Sequence, residues 1–92
     1  MYQIDLTGHS GVIFGVANDH SIAWGIAQLL GNAGAKIALT YQNERLKSRV
    51  DRLADTLDEA ITLPCDASDD EQIKKVFEGA QTEFGDISFI VH

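Results

Sequence analysis

The chain lacks most features that mark secreted, membrane or nucleic-acid-binding proteins. It has a single cysteine, Cys65, so no disulfide can form within it, which fits a reducing cytoplasm. No apolar run approaches the roughly 20 residues of a membrane-spanning helix, and the N-terminus lacks the basic start and apolar stretch of a signal peptide. Only 7 Lys and Arg stand against 14 Asp and Glu, a net charge of −7, whereas a nucleic-acid surface needs a basic patch. We therefore expect a cytoplasmic protein whose partners include neither nucleic acid nor a membrane.

Two apolar periodicities alternate along the 92 residues, a length that allows at most one small domain. Short apolar runs predict strands at 11–16, 36–41, 59–65 and 87–91. Helical spacing predicts three helices between them. The apolar residues expected to face inward are Ile22, Ile26, Leu29, Leu30 and Ala33 in the first, Leu46, Val50, Leu53 and Leu57 in the second, and Ile73, Val76, Phe77, Ala80 and Phe84 in the third.

Capping residues mark where these helices begin and end. Ser21 stands at the start of the first helix, and Asn43 precedes the second. Ser68, with Glu71 three residues later, has the spacing of a capping box for the third. Gly34 and Gly85 follow the ends of the first and third helices, where glycine is favoured.

The resulting order, β-α-β-α-β-α-β, predicts an α/β fold with a parallel sheet and right-handed crossovers. In a Rossmann-type, doubly wound sheet the four strands lie in the order 3-2-1-4, with a ligand crevice between strands one and four. Strand four is then an open edge. We expect residues 1–92 to be the N-terminal part of a single Rossmann domain in a longer protein.

The segment from Gly15 to Gly25 joins the first strand to the first helix and departs from the common Gly-x-Gly-x-x-Gly fingerprint. Gly15 permits close approach to a pyrophosphate, while Ser21 offers a hydroxyl and an N–H, and Ile22 a second N–H, at the positive end of the helix. We expect Gly25 to allow close packing of helix and strand. The alternative is an ordinary turn with a serine cap. Asp19 would repel a phosphate unless its carboxylate points to solvent.

Polar residues also follow the second and third strands. Gln42 stands where dinucleotide-binding domains meet a ribose, and nothing basic lies at 40–44 to pair with a 2′-phosphate. The nearest cation is Arg45, which argues against this inference. Asp66 can accept a hydrogen bond from an adenine amino group, with Ala67 adding a backbone N–H. Ordinary polar loop and turn roles are the alternatives. We expect Cys65 to be a buried, inert thiol.

Other chemistry-bearing residues are assigned to packing or loops. Trp24 is expected to pack rather than stack on a ligand. The three histidines show no metal-ligand spacing, so no metal site is predicted. His92 ends the fourth strand beside the crevice, where a backbone or orienting role is open to it.

With these residues in place, the chain resembles the bacterial NADH-dependent enoyl-acyl-carrier-protein reductases, a divergent branch of the short-chain dehydrogenase/reductases. Typical members of the wider family have Thr-Gly-x-x-x-Gly-x-Gly in the first loop and Asn-Asn-Ala-Gly after the fourth strand, and this chain has neither. The resemblance runs over essentially all 92 residues in five pieces: Gly15-Val16-Ala17-Asn18, Ser21-Ile22-Ala23-Trp24-Gly25, Thr40-Tyr41-Gln42-Asn43-Glu44, Cys65-Asp66 and Phe89-Ile90-Val91-His92.

The resemblance implies hydride transfer from NADH to the 2,3-double bond of an enoyl chain on acyl carrier protein, in fatty acid biosynthesis. The family's catalytic Tyr-x6-Lys pair would lie beyond residue 92, so no catalytic residue is assigned and the segment alone is expected to be inactive. A homotetramer is implied for the full-length protein. The alternatives are a ketoreductase or other short-chain dehydrogenase, a methyltransferase, or a non-catalytic dinucleotide-sensing module. The NAD contacts that the resemblance implies are at Gly15, Ser21, Ile22, Gln42, Asp66 and Ala67.

Overall fold

Strands and helices alternate through the structure, a computed structural model that describes residues 4–92. The order is the one predicted from the two periodicities. Within this part of the chain no helix is both long and apolar enough to cross a membrane. The elements are β1 (Ser10–Ile13), α1 (Ile22–Asn32), β2 (Lys36–Tyr41), a 3-10 turn (Glu44–Leu46), α2 (Lys47–Ala54), β3 (Ala60–Pro64), α3 (Asp70–Phe84) and β4 (Phe89–Val91).

The four strands form one parallel sheet in the order β3-β2-β1-β4. β1 is central: Val12 lies opposite Ala38 of β2 and Ile90 of β4. Since β1 is covered on both faces, its Val12 and Ile13 are fully buried. The predicted doubly wound α/β fold and its strand order are confirmed. The crossover from β3 through α3 to β4 reverses the direction in which strands are added. In such a sheet this reversal places the ligand crevice beside β1.

Each face of the sheet has its own apolar core. Helices α1 and α2 cover one face, and α3 covers the other, because the crossover from β3 to β4 runs opposite to the first two. The inward residues predicted for α3 are confirmed, with Val76 and Ala80 buried and the other three packed against them. The buried residues of the first core are Ile13, Val16, Trp24, Ala27, Ala35, Ile37, Leu39, Tyr41, Val50 and Ala54, and those of the second are Val12, Phe14, Ala38, Cys65, Val76 and Ala80.

The inward face predicted for α1 is partly wrong. Ile22 and Leu29 are 85% and 69% exposed, and the buried residues of the helix are Trp24 and Ala27. Relative to the predicted inward face, α1 is rotated about its axis so that the indole of Trp24, the largest apolar group of the helix, is buried. The predicted packing role of Trp24 is therefore confirmed.

The prediction that Gly25 allows close packing of helix and strand is wrong. This glycine is exposed, and a Cβ added there would meet no other atom within 4 Å. At Gly31 of the same helix, by contrast, an added Cβ would come 3.0 Å from the Leu57 side chain.

Several elements are shorter than predicted. β1 ends at Ile13, and the backbone of Gly15 then turns at φ +81°, a conformation that glycine tolerates readily. β4 has three residues, and the second helix ends at Ala54, so Leu57 packs on the core from the following turn. Asn43 caps the start of the second helical segment as predicted, its side chain accepting a hydrogen bond from Arg45 N.

Candidate functional site

A cavity of about 470 Å³ opens at the carboxyl ends of the strands. It brings together Gly15, Gln42, Asp66 and Ala67, four of the six residues predicted to contact a dinucleotide. Ser21 and Ile22 lie outside its lining. A larger cavity, about 570 Å³, lies against the C-terminal half of α1 and is mainly apolar. The residues lining the first cavity are Phe14, Gly15, Thr40, Gln42, Cys65, Asp66, Ala67, Ser68 and His92.

Thr40 fixes the point where the chain leaves β1. Its side-chain Oγ1 accepts a hydrogen bond from Gly15 N at 3.2 Å, and its carbonyl oxygen accepts one from Val16 N at 3.0 Å. Thr40 is 1% exposed, so both contacts are shielded from water. Gly15 itself is exposed, and a Cβ there would meet nothing within 4 Å. This leaves room beside the backbone for a ligand.

Ser21 holds the loop between β1 and α1 together. Its Oγ accepts hydrogen bonds from Ala17 N at 3.1 Å and Asn18 N at 3.2 Å, and it makes no side-chain cap on α1. A hydroxyl has two lone pairs and one hydrogen, so both acceptor positions of Ser21 are used and only its O–H is left to donate. This loop lacks the second glycine of the common fingerprint, and the hydrogen bonds to Ser21 fix the conformation of its backbone instead.

The first turn of α1 offers unpaired donors. Ser21 N donates to Asn18 O, whereas Ile22 N and Ala23 N have no acceptor within the described residues. Unpaired amides and the positive end of the helix dipole form a favourable place for an anion. The side chain of Asp19 in the same loop is 67% exposed to solvent.

Gln42 is exposed at the end of β2, directly after the buried Tyr41. The nearest basic residue in sequence, Arg45, is exposed and makes no ion pair within the described residues, whereas Lys47 is paired with Asp51 at 2.8 Å. Glu44 lies two residues after Gln42, so the nearest charge in sequence is negative. The residues next to Gln42 therefore favour a neutral ribose, and Arg45 is the cation nearest to a phosphorylated one.

The loop after β3 differs from the predicted capping box. Ser68 does not cap α3: its N and Oγ both donate to Asp66 Oδ1, at 3.0 and 2.7 Å. Asp69 is the cap and accepts from Glu71 N at 3.0 Å. The prediction was wrong by one residue, because Asp69 with Gln72 has the same spacing as Ser68 with Glu71. The two bonds from Ser68 hold the pKa of Asp66 below its ordinary value.

Gln72 is a residue of this site that the sequence did not single out. Its Oε1 accepts a hydrogen bond from Asp66 N at 2.7 Å, and its Nε2 donates to Asp69 Oδ2 at 3.3 Å. The spacing of Asp69 and Gln72 was the available signal. Ala67 N, between the bonded amides, has no acceptor within the described residues.

The floor of the cavity is apolar. Cys65 is 4% exposed, so the prediction of a buried thiol is confirmed. Burial raises the pKa of this thiol, and Asp66 adds to the shift. The Phe14 ring lies between those of Phe77 and His92, with centroids 6.1 and 5.9 Å away. A flat, mainly apolar group can therefore lie in the cavity with polar groups at its rim.

These features together fit a dinucleotide. The cavity offers an apolar floor with an ionised acceptor and a free N–H at Asp66 and Ala67. Gly15 gives access to the backbone, and unpaired amides lie at the start of α1. The sequence pattern of the enoyl-(acyl carrier protein) reductase family matches residues 15–92, most of the chain.

The chain belongs to this reductase family. It is 49% identical over 89 residues to the NADH enoyl-[acyl-carrier-protein] reductase of Bacillus cereus, covering 95% of this chain and 35% of that protein. The corresponding Bacillus subtilis reductase is 46% identical over 92 residues, covering 98% of this chain and 36% of the relative. The predicted membership is confirmed.

Solved reductase structures share the fold. The Anaplasma phagocytophilum reductase in complex with NAD superposes with a TM-score of 0.88 at 46% identity, covering 99% of this chain and 35% of that one. The Bacillus cereus reductase with NADP+ and an indole naphthyridinone gives 0.87 at 48% identity, covering 97% and 36%. The chain thus spans about a third of the length of the family members it matches.

Proposed function

We propose that this chain is the cofactor-binding, N-terminal segment of an NADH-dependent enoyl-acyl-carrier-protein reductase of fatty acid biosynthesis. The main observation in support is the meeting of four strand ends at one cavity beside a helix start with unpaired amides. In doubly wound sheets, dinucleotides bind at this edge. Membership of the reductase family, whose members named above are NADH enzymes or were solved with NAD or NADP+, supports the same cofactor class.

Each part of the dinucleotide has a proposed partner. The adenine amino group donates to Asp66 while Ala67 N donates to the ring, and Gln42 with Gly15 contacts the adjoining ribose. The pyrophosphate accepts from the Ser21 O–H and from Ile22 N. Ser21 and Ile22 lie outside the cavity lining, which agrees with a ligand that runs out of the cavity and along the start of α1.

Preference for NADH over NADPH follows from the charge around Gln42. The segment 40–44 holds no basic residue and includes the acidic Glu44, and Lys47 is already paired with Asp51. Arg45 is the nearest cation and is the residue that a 2′-phosphate would have to use. We therefore propose NADH as the physiological reductant.

The bound nicotinamide would supply a hydride to the 2,3-double bond of an enoyl thioester carried by acyl carrier protein. The residues of this chain bind and orient the cofactor and take no part in proton transfer. The Tyr-x6-Lys pair and the remainder of the domain are proposed to follow residue 92. We further propose a cytoplasmic homotetramer.

Oxidation of NADH by the full-length encoded protein tests this function. With a crotonyl thioester we expect loss of absorbance at 340 nm, and none with a 3-ketoacyl thioester. A 92-residue fragment is the matched control and should show no turnover. Oxidation with the ketoacyl substrate alone would favour a ketoreductase. NADH binding without turnover on either thioester would favour a sensing module.

A further inference from the structure

Gln72 occupies a position from which it can control the adenine end of the cavity. It lies in the first turn of α3, partly buried, and is not a lining residue of the cavity. Its contacts are with the loop that lines the cavity: Oε1 accepts from Asp66 N at 2.7 Å, and Nε2 donates to Asp69 Oδ2 at 3.3 Å. One side chain therefore ties the backbone of Asp66 to the helix cap.

This bond determines which donors of the loop remain available. Asp66 N is used by Gln72, and Ser68 N is used by Asp66 Oδ1, while Ala67 N between them has no acceptor within the described residues. The carboxylate of Asp66 keeps Oδ2 unbonded, because both donors from Ser68 go to Oδ1. The loop thus presents one acceptor and one donor, the pair that complements the amino group and ring nitrogen of adenine.

We propose that Gln72 is a positioning residue that sets the selectivity of this site for adenine over bases lacking the 6-amino group. This inference rests on the proposed function, since it assumes that the cavity holds the adenosine half of NADH. Without the Gln72 acceptor, Asp66 N loses its partner and the loop loses its connection to the cap of α3. The Asp66 carboxylate and Ala67 N then no longer hold a fixed separation.

The test compares NADH with nicotinamide hypoxanthine dinucleotide, its 6-oxo analogue, in the full-length encoded protein. For the unmodified protein we expect NADH to bind on the order of tenfold more tightly, the effect of one hydrogen bond of about 1.4 kcal/mol. Gln72→Met keeps the length of the side chain and removes both polar atoms. We expect it to reduce this ratio to within about twofold of unity, mainly by weakening the binding of NADH.

Gln72→Glu is the matched rescue variant. It retains an oxygen that can accept from Asp66 N but loses the donor to Asp69 Oδ2, so it separates the first contact from the second. The positive end of the helix offsets part of the repulsion between its carboxylate and that of Asp69. This variant should keep most of the base selectivity, whereas a purely structural role would lower the melting temperature of both variants without changing the ratio. The inference is overturned if Gln72→Met leaves the ratio of the two dissociation constants unchanged. It is also overturned if Gln72→Glu lowers that ratio to unity.

The outcome for the unmodified protein separates this inference from the proposed function. If that protein binds neither dinucleotide, the proposed function is wrong. If it binds both equally, NADH remains the ligand but Asp66 does not read the amino group, and the role of Gln72 is rejected with it.

Discussion

Replacement of Ser21 by alanine removes the group that organises the loop between β1 and α1. The hydroxyl accepts from Ala17 N at 3.1 Å and Asn18 N at 3.2 Å, and its O–H is the proposed donor to the pyrophosphate. At about 0.5–1.5 kcal/mol for each hydrogen bond, the two loop contacts contribute roughly 1–3 kcal/mol to stability. Partial exposure of these residues favours the lower half of that range.

The effect on cofactor binding should be larger than the effect on stability. A hydrogen bond to a charged phosphate contributes about 1.5–3 kcal/mol, which corresponds to roughly 10- to 150-fold in Kd. Ser21→Ala also releases the loop that must be ordered in the complex. We therefore expect the Kd for NADH to rise by one to two orders of magnitude, on the order of 10- to 100-fold.

Titration of the full-length encoded protein by NADH fluorescence or calorimetry measures this change. His20→Ala is the control in the same loop: its side chain is 90% exposed and its recorded side-chain contact is with Asp19 at 3.8 Å. It should leave the Kd within about twofold of the original. The reasoning is refuted if Ser21→Ala also stays within twofold, or if the control weakens binding as much.

Three further changes test other parts of the structure. Gly11→Ala places a Cβ in collision with the Phe89 ring, so it should lower the free energy of unfolding by about 1–3 kcal/mol in denaturant titrations. Phe89→Leu in the same chain should recover part of that loss. Thr40→Val leaves the amide at the start of the loop unpaired and should destabilise by about 1–3 kcal/mol, whereas Thr40→Ser, which keeps the hydroxyl, should cost clearly less; equal losses would reject the hydrogen bond as the cause. Because the folded pKa of Asp66 is depressed, its contribution to stability is present above the ordinary value of 3.8 and is lost as pH falls through the lower folded value. Ser68→Ala should raise that midpoint toward 3.8 in a carboxyl NMR titration, and an unchanged midpoint would contradict the assigned cause.

The sequence predicted the fold well because the signals that set it are local and repeated. Alternating periodicities gave the element order, and the right-handed crossover rule then leaves few arrangements of four parallel strands. Capping by Asn43 and the glycine after α1 were also predicted correctly, since each depends on neighbours a few residues away.

The errors arose where competing local choices are decided by packing. Ile22 and Trp24 both fit a helical stripe, and only the sheet determines that the indole is buried and Ile22 exposed. Ser68 and Asp69 both have an acceptor residue at cap spacing, and Asp69 is the cap because Ser68 bonds to Asp66. The choice of cap involves a difference of about 1 kcal/mol or less, which residue type alone does not resolve.

The site was only partly predictable for a similar reason. The strand ends at Gly15, Gln42 and Asp66 could be located from topology, because the carboxyl ends of parallel strands meet at one edge. The bonds of Ser21 to the loop amides and of Gln72 to Asp66 N depend on side-chain direction. The cap spacing of Asp69 and Gln72 marks the second residue, but no spacing rule indicates these bonds.

The most direct test of the central claim is a crystal structure of the full-length encoded protein with NADH. We predict that the adenine ring lies in the cavity above Phe14, within hydrogen-bond distance of the Asp66 carboxylate and Ala67 N. The pyrophosphate should contact the Ser21 hydroxyl and Ile22 N. Adenine bound elsewhere, for example in the apolar cavity beside Leu29, or a pyrophosphate with no contact to the start of α1, would contradict it.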